Sequence, residues 1–290
     1  MDIPGSAIAA MKARVSWRSY RAEALRPEDR ARLAAFAALP PAAPFGNAVR
    51  LAVVGAATDD YGSPARALGT YGVVNGARDF LVGAVCRGPM DLEDFGYAFE
   101  YAVLYATALG LGTCWLGATF TYAGFARAIA LAADEVLPAV SPVGYVAGRR
   151  TAVDRVTRWG ARSGGRKPWG RLFFDGSFAT PLMPEAAGPY AEPLEMVRLA
   201  PSASNRQPWR LVRAGGVFHL FLSRTPGYNA RLINVPGGDL QRLDTGIALC
   251  HFSLAAAELG LPGTWRIAEP PPAVGALPPR TSYVASWGAR

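Results

Sequence analysis

Tyr101-Ala102-Val103-Leu104-Tyr105-Ala106-Thr107-Ala108-Leu109-Gly110-Leu111-Gly112 begins a stretch that runs to Ala126 without a charged residue, and its reading decides between a membrane span and a packed interior. Length alone would let it cross a bilayer. Gly110, Gly112, Gly117 and Gly124 interrupt it, however, and Asp91, Glu93, Asp94 and Glu100 precede it on the same helical period. The spacing therefore predicts a helix from Leu92 to Leu109 buried nearly all round and ended by Gly110. A turn through Trp115-Leu116-Gly117 and a second short helix from Tyr122 to Leu131 follow.

The same pattern returns at a constant offset of 150 residues. Gly96 matches Gly246, Ala98 matches Ala248, Leu104 matches Leu254 and Ala106 matches Ala256. Leu109-Gly110-Leu111 matches Leu259-Gly260-Leu261, and Trp115 matches Trp265. A fixed offset along one helix and its following turn marks an internal duplication. Two helices apolar on most faces, Leu92 to Leu109 and Leu240 to Leu259, are explained if they pack on each other between the halves. Gly176, Pro181, Pro184, Gly188 and Pro189 break periodicity between Phe174 and Pro193, which divides the chain into residues 1–175 and 176–290. In the first half, Ile8 and Met11 mark the inner face of a short helix and Pro27 to Leu39 a longer one. Leu51 to Ala57, Phe80 to Val85 and Val140 to Ala147 read as strands. The second half reads as a helix end at Pro193 to Leu199, a strand start at Trp209 to Val212, and strands at Thr264 to Ala268 and Ser282 to Ser286.

Composition narrows the function classes. With 290 residues and 51% hydrophobic content the chain folds as a globular protein, and general disorder is excluded. The net charge of +8 comes almost wholly from arginines scattered along the chain, with Lys12 and Lys167 the only lysines. This fits a solvated basic surface, with no nucleic-acid partner expected. Cys86, Cys114 and Cys250 form no disulfide framework or metal pattern, and His219 and His251 are the only histidines, so a zinc site or histidine triad is not expected. Met1 to Met11 shows no signal peptide, which leaves a cytoplasmic protein with no membrane anchor as the expectation.

Two segments concentrate polar chemistry. In an extended chain the row Arg14-Val15-Ser16-Trp17-Arg18 places Arg14, Ser16 and Arg18 on one side, where charge-assisted hydrogen bonds can hold a phosphate. A solvated arginine edge has the same spacing, so both readings stand. The loop Leu199-Ala200-Pro201-Ser202-Ala203-Ser204-Asn205-Arg206-Gln207-Pro208-Trp209-Arg210 is stiffened by two prolines and offers hydroxyls and amides suited to a planar ligand. A capped turn would use the same residues. Trp209 reads as a core anchor. From Gly148 the chain turns basic, and one or two of Arg149, Arg150, Arg155, Arg158, Arg162, Arg166 and Lys167 are candidates to close over a phosphate.

Together, Arg14-Val15-Ser16-Trp17-Arg18-Ser19-Tyr20, Gly110-Leu111-Gly112-Thr113-Cys114-Trp115-Leu116-Gly117, Arg166-Lys167-Pro168, the Pro201 to Trp209 loop and Gln241-Arg242-Leu243-Asp244-Thr245-Gly246 resemble the nitroreductase superfamily of flavin enzymes. The resemblance covers nearly the whole length and is to members with two nitroreductase-like halves in one polypeptide. It implies an α+β fold of two half-domains, each a mixed β-sheet flanked by helices, forming an intrachain pseudo-dimer. It further implies FMN at the interface between halves, with Arg14, Ser16 and Arg18 at the phosphate and ribityl chain and Arg166 near the phosphate. Pro201, Ser202, Ala203 and Asn205 would lie against the flavin ring, and Trp115-Leu116-Gly117 would bring backbone N–H groups to the ring edge. Where the family often has a second basic residue, two positions before Arg166, this chain has Gly164. Asn75 and Arg78 are candidates for a ring-contacting amide and basic pair.

The chemistry implied by the resemblance is ping-pong. NADH or NADPH reduces FMN, and a small-molecule electron acceptor, a nitroaromatic or quinone, then takes the electrons. A non-catalytic FMN-binding protein for storage or sensing is the alternative. One flavin per chain is expected, because the first half has the arginine row but carries Ala43-Pro44-Phe45-Gly46-Asn47 at the loop position. The second half has the loop, but no arginine or lysine lies between Asp175 and Tyr190.

Overall fold

The computed structural model describes residues 2–55, 70, 72–117, 119–148, 165–228, 230, 233 and 237–288. Along the first half run α1 (Ala7–Ala13), α2 (Pro27–Ala38), β1 (Val49–Gly55), β2 (Asp79–Cys86), α3 (Asp91–Ala108), β3 (Gly112–Thr113), α4 (Tyr122–Ala128), β4 (Glu135–Val136) and β5 (Val140–Gly144). After them come β6 (Phe173–Asp175), α5 (Ala191–Leu199), β7 (Trp209–Ala214), β8 (Val217–Ser223), α6 (Leu240–Glu258), β9 (Thr264–Arg266) and β10 (Thr281–Gly288).

Local chemistry sets the helix ends. The Ser6 hydroxyl accepts from Ala9 N–H at the start of α1, Pro27 opens α2 ahead of Glu28 and Asp29, and the Asp239 side chain caps α6. Gly110 and Gly260 take φ of +78° and +68°, past the ends of α3 and α6. Leu111 N–H then bonds Ala106 O and Leu261 N–H bonds Ala256 O, so the duplicated sequence closes its two helices with the same hydrogen bond. The uncharged stretch is interior: Tyr101 to Ala106 are all buried, and no helix among the described residues is long and apolar enough to cross a membrane.

α3 packs on α6 at the centre, between two five-stranded sheets. The first sheet has the order β1-β2-β5-β3, with β4 also on β2, and its strand pairs are antiparallel. Parallel bridges of Ser16 to Thr113 and Ser19 to Asn75 lay the Arg14 to Tyr20 segment along its edge. The second sheet, β6-β7-β8-β10-β9, is mixed because β6 runs parallel to β7. The chain just before residue 176 thus adds a strand to the second half's sheet and ties the halves together.

The expected elements form with ends shifted by a few residues, some shorter and some longer. The helix from Tyr122 stops at Ala128, where Ala130 turns to φ +47°. The strand from Val140 stops at Gly144, and the one read as Leu51 to Ala57 begins at Val49, with residues 56 and 57 outside the described residues. β8 was not anticipated. Phe218 to Leu222 are all buried, so the run shows no alternation of apolar and polar residues. Trp209 is fully buried at the start of β7, as its core reading requires. Arg149, Arg150, Arg155, Arg158 and Arg162 lie outside the described residues.

Candidate functional site

A cavity of about 510 Å³ opens between the halves, within the size range of small-molecule sites. Arg14, Ser16, Arg18, Trp115, Leu116, Gly117, Arg166, Pro201, Ser202, Ala203 and Asn205 all line it. The structure therefore gathers these residues from four separate stretches of chain onto one surface.

The arginine row is extended because its backbone pairs with neighbours. Trp17 N–H bonds Thr113 O at 2.8 Å and Asn75 N–H bonds Arg18 O at 2.8 Å, so Arg14, Ser16 and Arg18 reach the cavity together. Asn75 holds the row by its backbone, and neither it nor Arg78 is among the cavity-lining residues. The Arg14 side chain is 5% exposed, and its Nε and Nη1 atoms make no hydrogen bond with the described residues. Its nearest carboxylate contact is Glu100 Oε1, at 3.9 Å from Nε. Arg166 approaches from the other side, where Nη1 donates to Asn205 Oδ1 at 2.7 Å and Nη2 to Leu199 O at 2.8 Å. Burial, and then the neighbouring charges of Arg14 and Arg198, pull the Arg166 guanidinium down to about 10. A buried and a partly buried cation beside one cavity suit an anion.

The opposite wall is the Pro201 to Asn205 loop. Ser204, Asn205 and Gln207 all have φ near +50°, a left-handed geometry that non-glycine residues seldom adopt. It is held by Ser202 Oγ accepting from Gln207 N–H at 2.9 Å, by Asn205 Nδ2 donating to Gly165 O at 2.6 Å and by Asp244 Oδ1 accepting from Ala203 N–H at 2.9 Å. Lys167 N–H donates to Gln207 Oε1 at 2.8 Å, so the loop and the Gly165 to Lys167 segment form one rigid wall.

At the third wall one expectation is corrected. Leu116 N–H is spent on Val140 O at 2.9 Å, because Leu116 and Val140 bridge as antiparallel strands, and this amide cannot serve a ring edge. The Trp115 indole is likewise committed, donating to Glu100 Oε2 at 2.6 Å with its ring 4.6 Å from that of Phe99. Gly117 has a packing reason to lack a side chain, since a Cβ there would meet Leu240 Cδ2 at 2.7 Å, and Leu240 is itself part of the wall.

Residues that the sequence reading did not place also line the cavity, among them Tyr228, Leu243, Asp244 and Ile247. Asp244 lies inside a quoted motif, but its role depends on how α6 meets the loop. Glu100 and His251, both fully buried and outside the cavity lining, approach at 2.9 Å, and His251 Nδ1 donates to Met196 O at 2.9 Å.

The family model described as "Putative TM nitroreductase" matches residues 7–256. The chain is similar to the crystal structure of a "putative nitroreductase" from Thermotoga maritima, with 18% identity over 98% of this chain and 92% of that chain and a TM-score of 0.57. A nitroreductase with bound FMN from Bacteroides fragilis is 16% identical over 51% of this chain and 92% of its own, with a TM-score of 0.39. An FMN-dependent nitroreductase from Clostridium difficile R20291 is 20% identical over 50% and 90%, with a TM-score of 0.40. No curated protein matches the chain.

Proposed function

The chain belongs to this nitroreductase family, and on that premise we propose that the cavity binds FMN and makes the protein an NAD(P)H-dependent oxidoreductase acting on small electron-poor acceptors. The observation that carries the reading is the buried Arg14 guanidinium, with no hydrogen bond at Nε or Nη1, beside a second, partly buried cation, Arg166. These groups fit a phosphate. Arg14, Ser16 and Arg18 would hold it from the first half, with Arg166 closing from the other side. Pro201, Ser202, Ala203 and Asn205 would form the wall for the ring, with Leu243 and Ile247 excluding water beside it.

When bound, FMN would supply electron uptake from NADH or NADPH and delivery to a nitroaromatic or quinone. The chain's own part is to bind, orient and desolvate. The rigid loop fixes a planar face without rearrangement, which lowers the entropic cost of binding. In this reading the row comes from the first half of the chain and the loop from the second, with Arg166 joining the loop side.

One visible spectrum of the purified protein, before and after anaerobic NADH or NADPH, tests the reading. A yellow protein that bleaches and recovers with a quinone is expected, with parallel-line kinetics. A colourless protein that takes up no added FMN would overturn the assignment, and a bound flavin that stays oxidised under excess of both donors would make it a storage or sensing protein.

A further inference from the structure

The cavity contains one carboxyl group that the flavin reading leaves unexplained. Asp244 is 2% exposed and lines the cavity, yet only Oδ1 is engaged, by Ala203 N–H at 2.9 Å. Oδ2 is buried with no hydrogen-bond partner among the described residues. A buried polar atom left unpaired is costly enough that most such atoms in folded proteins have a reason.

The duplication supplies a control within the same molecule. The residue 150 positions earlier is Asp94, also fully buried. It faces the corresponding loop of the first half, and both of its oxygens are used. Oδ1 accepts from Phe45 N–H at 2.9 Å, and Oδ2 accepts from Asn47 N–H at 2.8 Å and Asn47 Nδ2 at 2.9 Å. Matching Phe45 to Ala203 pairs Asn47 with Asn205. Asn205 turns the other way, its side chain bonded to Gly165 O and Arg166 Nη1. The rearrangement that ties the loop to Arg166 is the one that strips Asp244 Oδ2 of its partner. In the first half the aspartate fastens the loop with both oxygens; in the second it does so with one, and the other is left without a partner beside the cavity.

We propose that Asp244 is a ligand-contact residue, whose Oδ2 hydrogen-bonds a carbonyl on the ring end of the flavin. The inference rests on the FMN reading and adds to it a ring contact from α6. The ring end is specified because Asp244 stands with Ala203, Leu243 and Ile247, on the loop side of the cavity. Burial pushes the Asp244 carboxyl well above the usual carboxylate range, with Asp239 adding to the effect. A neutral acid has an O–H to donate, which suits a carbonyl acceptor.

The test uses the full chain stripped of flavin and titrated with FMN by fluorescence quenching. Asp244→Asn keeps an oxygen for Ala203 N–H and offers an N–H to the ligand, whereas Asp244→Leu keeps bulk but donates nothing. FMN affinity within about threefold of wild type for Asp244→Asn, and weaker by about tenfold or more for Asp244→Leu, is expected. Infrared difference spectra give a readout that does not depend on the leucine variant folding: FMN should shift a protonated carboxyl band in the wild type, and that band should be missing from Asp244→Asn. Equal FMN affinity of a folded Asp244→Leu chain and the wild type, or a carboxyl band that FMN does not move, overturns the assignment while leaving the flavin site intact. A wild-type chain that binds no FMN overturns the underlying reading and this inference with it.

Discussion

Gly96 of α3 and Gly246 of α6, separated by 150 residues in sequence, face each other where the two central helices cross. A Cβ on Gly96 would run into Leu243 O and the Gly246 Cα, and a Cβ on Gly246 would run into Glu93 O and the Gly96 Cα. Each glycine makes room for the backbone that carries its own duplicate. The pseudo-two-fold relation between the halves therefore passes through this contact, and the cavity wall at Leu243, Asp244 and Ile247 is positioned by it.

Backbone obstacles cannot rotate away, so Gly96→Ala and Gly246→Ala should each destabilise the chain by ~3 kcal/mol or more through forced separation of α3 and α6. For a chain of this size that corresponds to a fall in Tm of roughly 5 °C. Thermal melts followed by circular dichroism check this, and a loss below about 1 kcal/mol would mean that the helices cross less closely.

The Arg14→Ala change should weaken FMN binding about thirtyfold, from the loss of a charge-assisted bond of ~2 kcal/mol, with Arg14→Lys falling between. Flavin titration of the refolded or stripped chain gives the number. Flavin content equal to wild type would move the phosphate away from the row.

The network of Glu100, Trp115 and His251 gives a prediction on stability. His251 Nδ1 must donate to Met196 O, because a carbonyl only accepts, so the contact between His251 Nε2 and Glu100 Oε1 shares one proton. A glutamine at this position can still accept from the Trp115 indole through its oxygen and donate to a neutral His251 through its NH2. Glu100→Ala, which strands both partners and also removes the carboxylate 3.9 Å from Arg14 Nε, should cost ~3 kcal/mol, and Glu100→Gln, which removes the charge alone, less. Chemical denaturation measures both, and equal losses would show that the pair requires a carboxylate.

What the sequence made legible follows from where the signals are stored. The duplication was visible because Gly96 and Gly246 hold the offset against a backbone contact that no side chain can replace. The arginine row was visible because an extended chain sorts alternate residues to one side, and Arg14, Ser16 and Arg18 do line the cavity. β8 was hidden because burial on both faces erases its alternation. Glu100 with His251, and the half-used carboxyl of Asp244, were hidden for another reason: each is defined by two segments far apart in sequence. The Leu116 amide was misjudged because a bridge to Val140 consumes it, and bridges of single residues leave no pattern.

The last prediction is that each chain binds one flavin, not the two that a symmetric pseudo-dimer would allow. At the position related to the cavity by the duplication, the aspartate and the loop are arranged differently. Its aspartate, Asp94, has both oxygens bonded to Phe45 and Asn47, and the bulky Phe45 stands where the cavity has Ala203. The arginine row has no equivalent there, since Asp175 to Tyr190 contains no arginine or lysine and Asp175 is itself paired with Arg213 at 2.9 Å. Losing either the row or the loop would leave the other under no constraint, so their joint absence is what decay of one duplicated site produces. Flavin released from a denatured sample of known protein concentration should come to one FMN per chain, and a ratio near two would show that the related position binds as well.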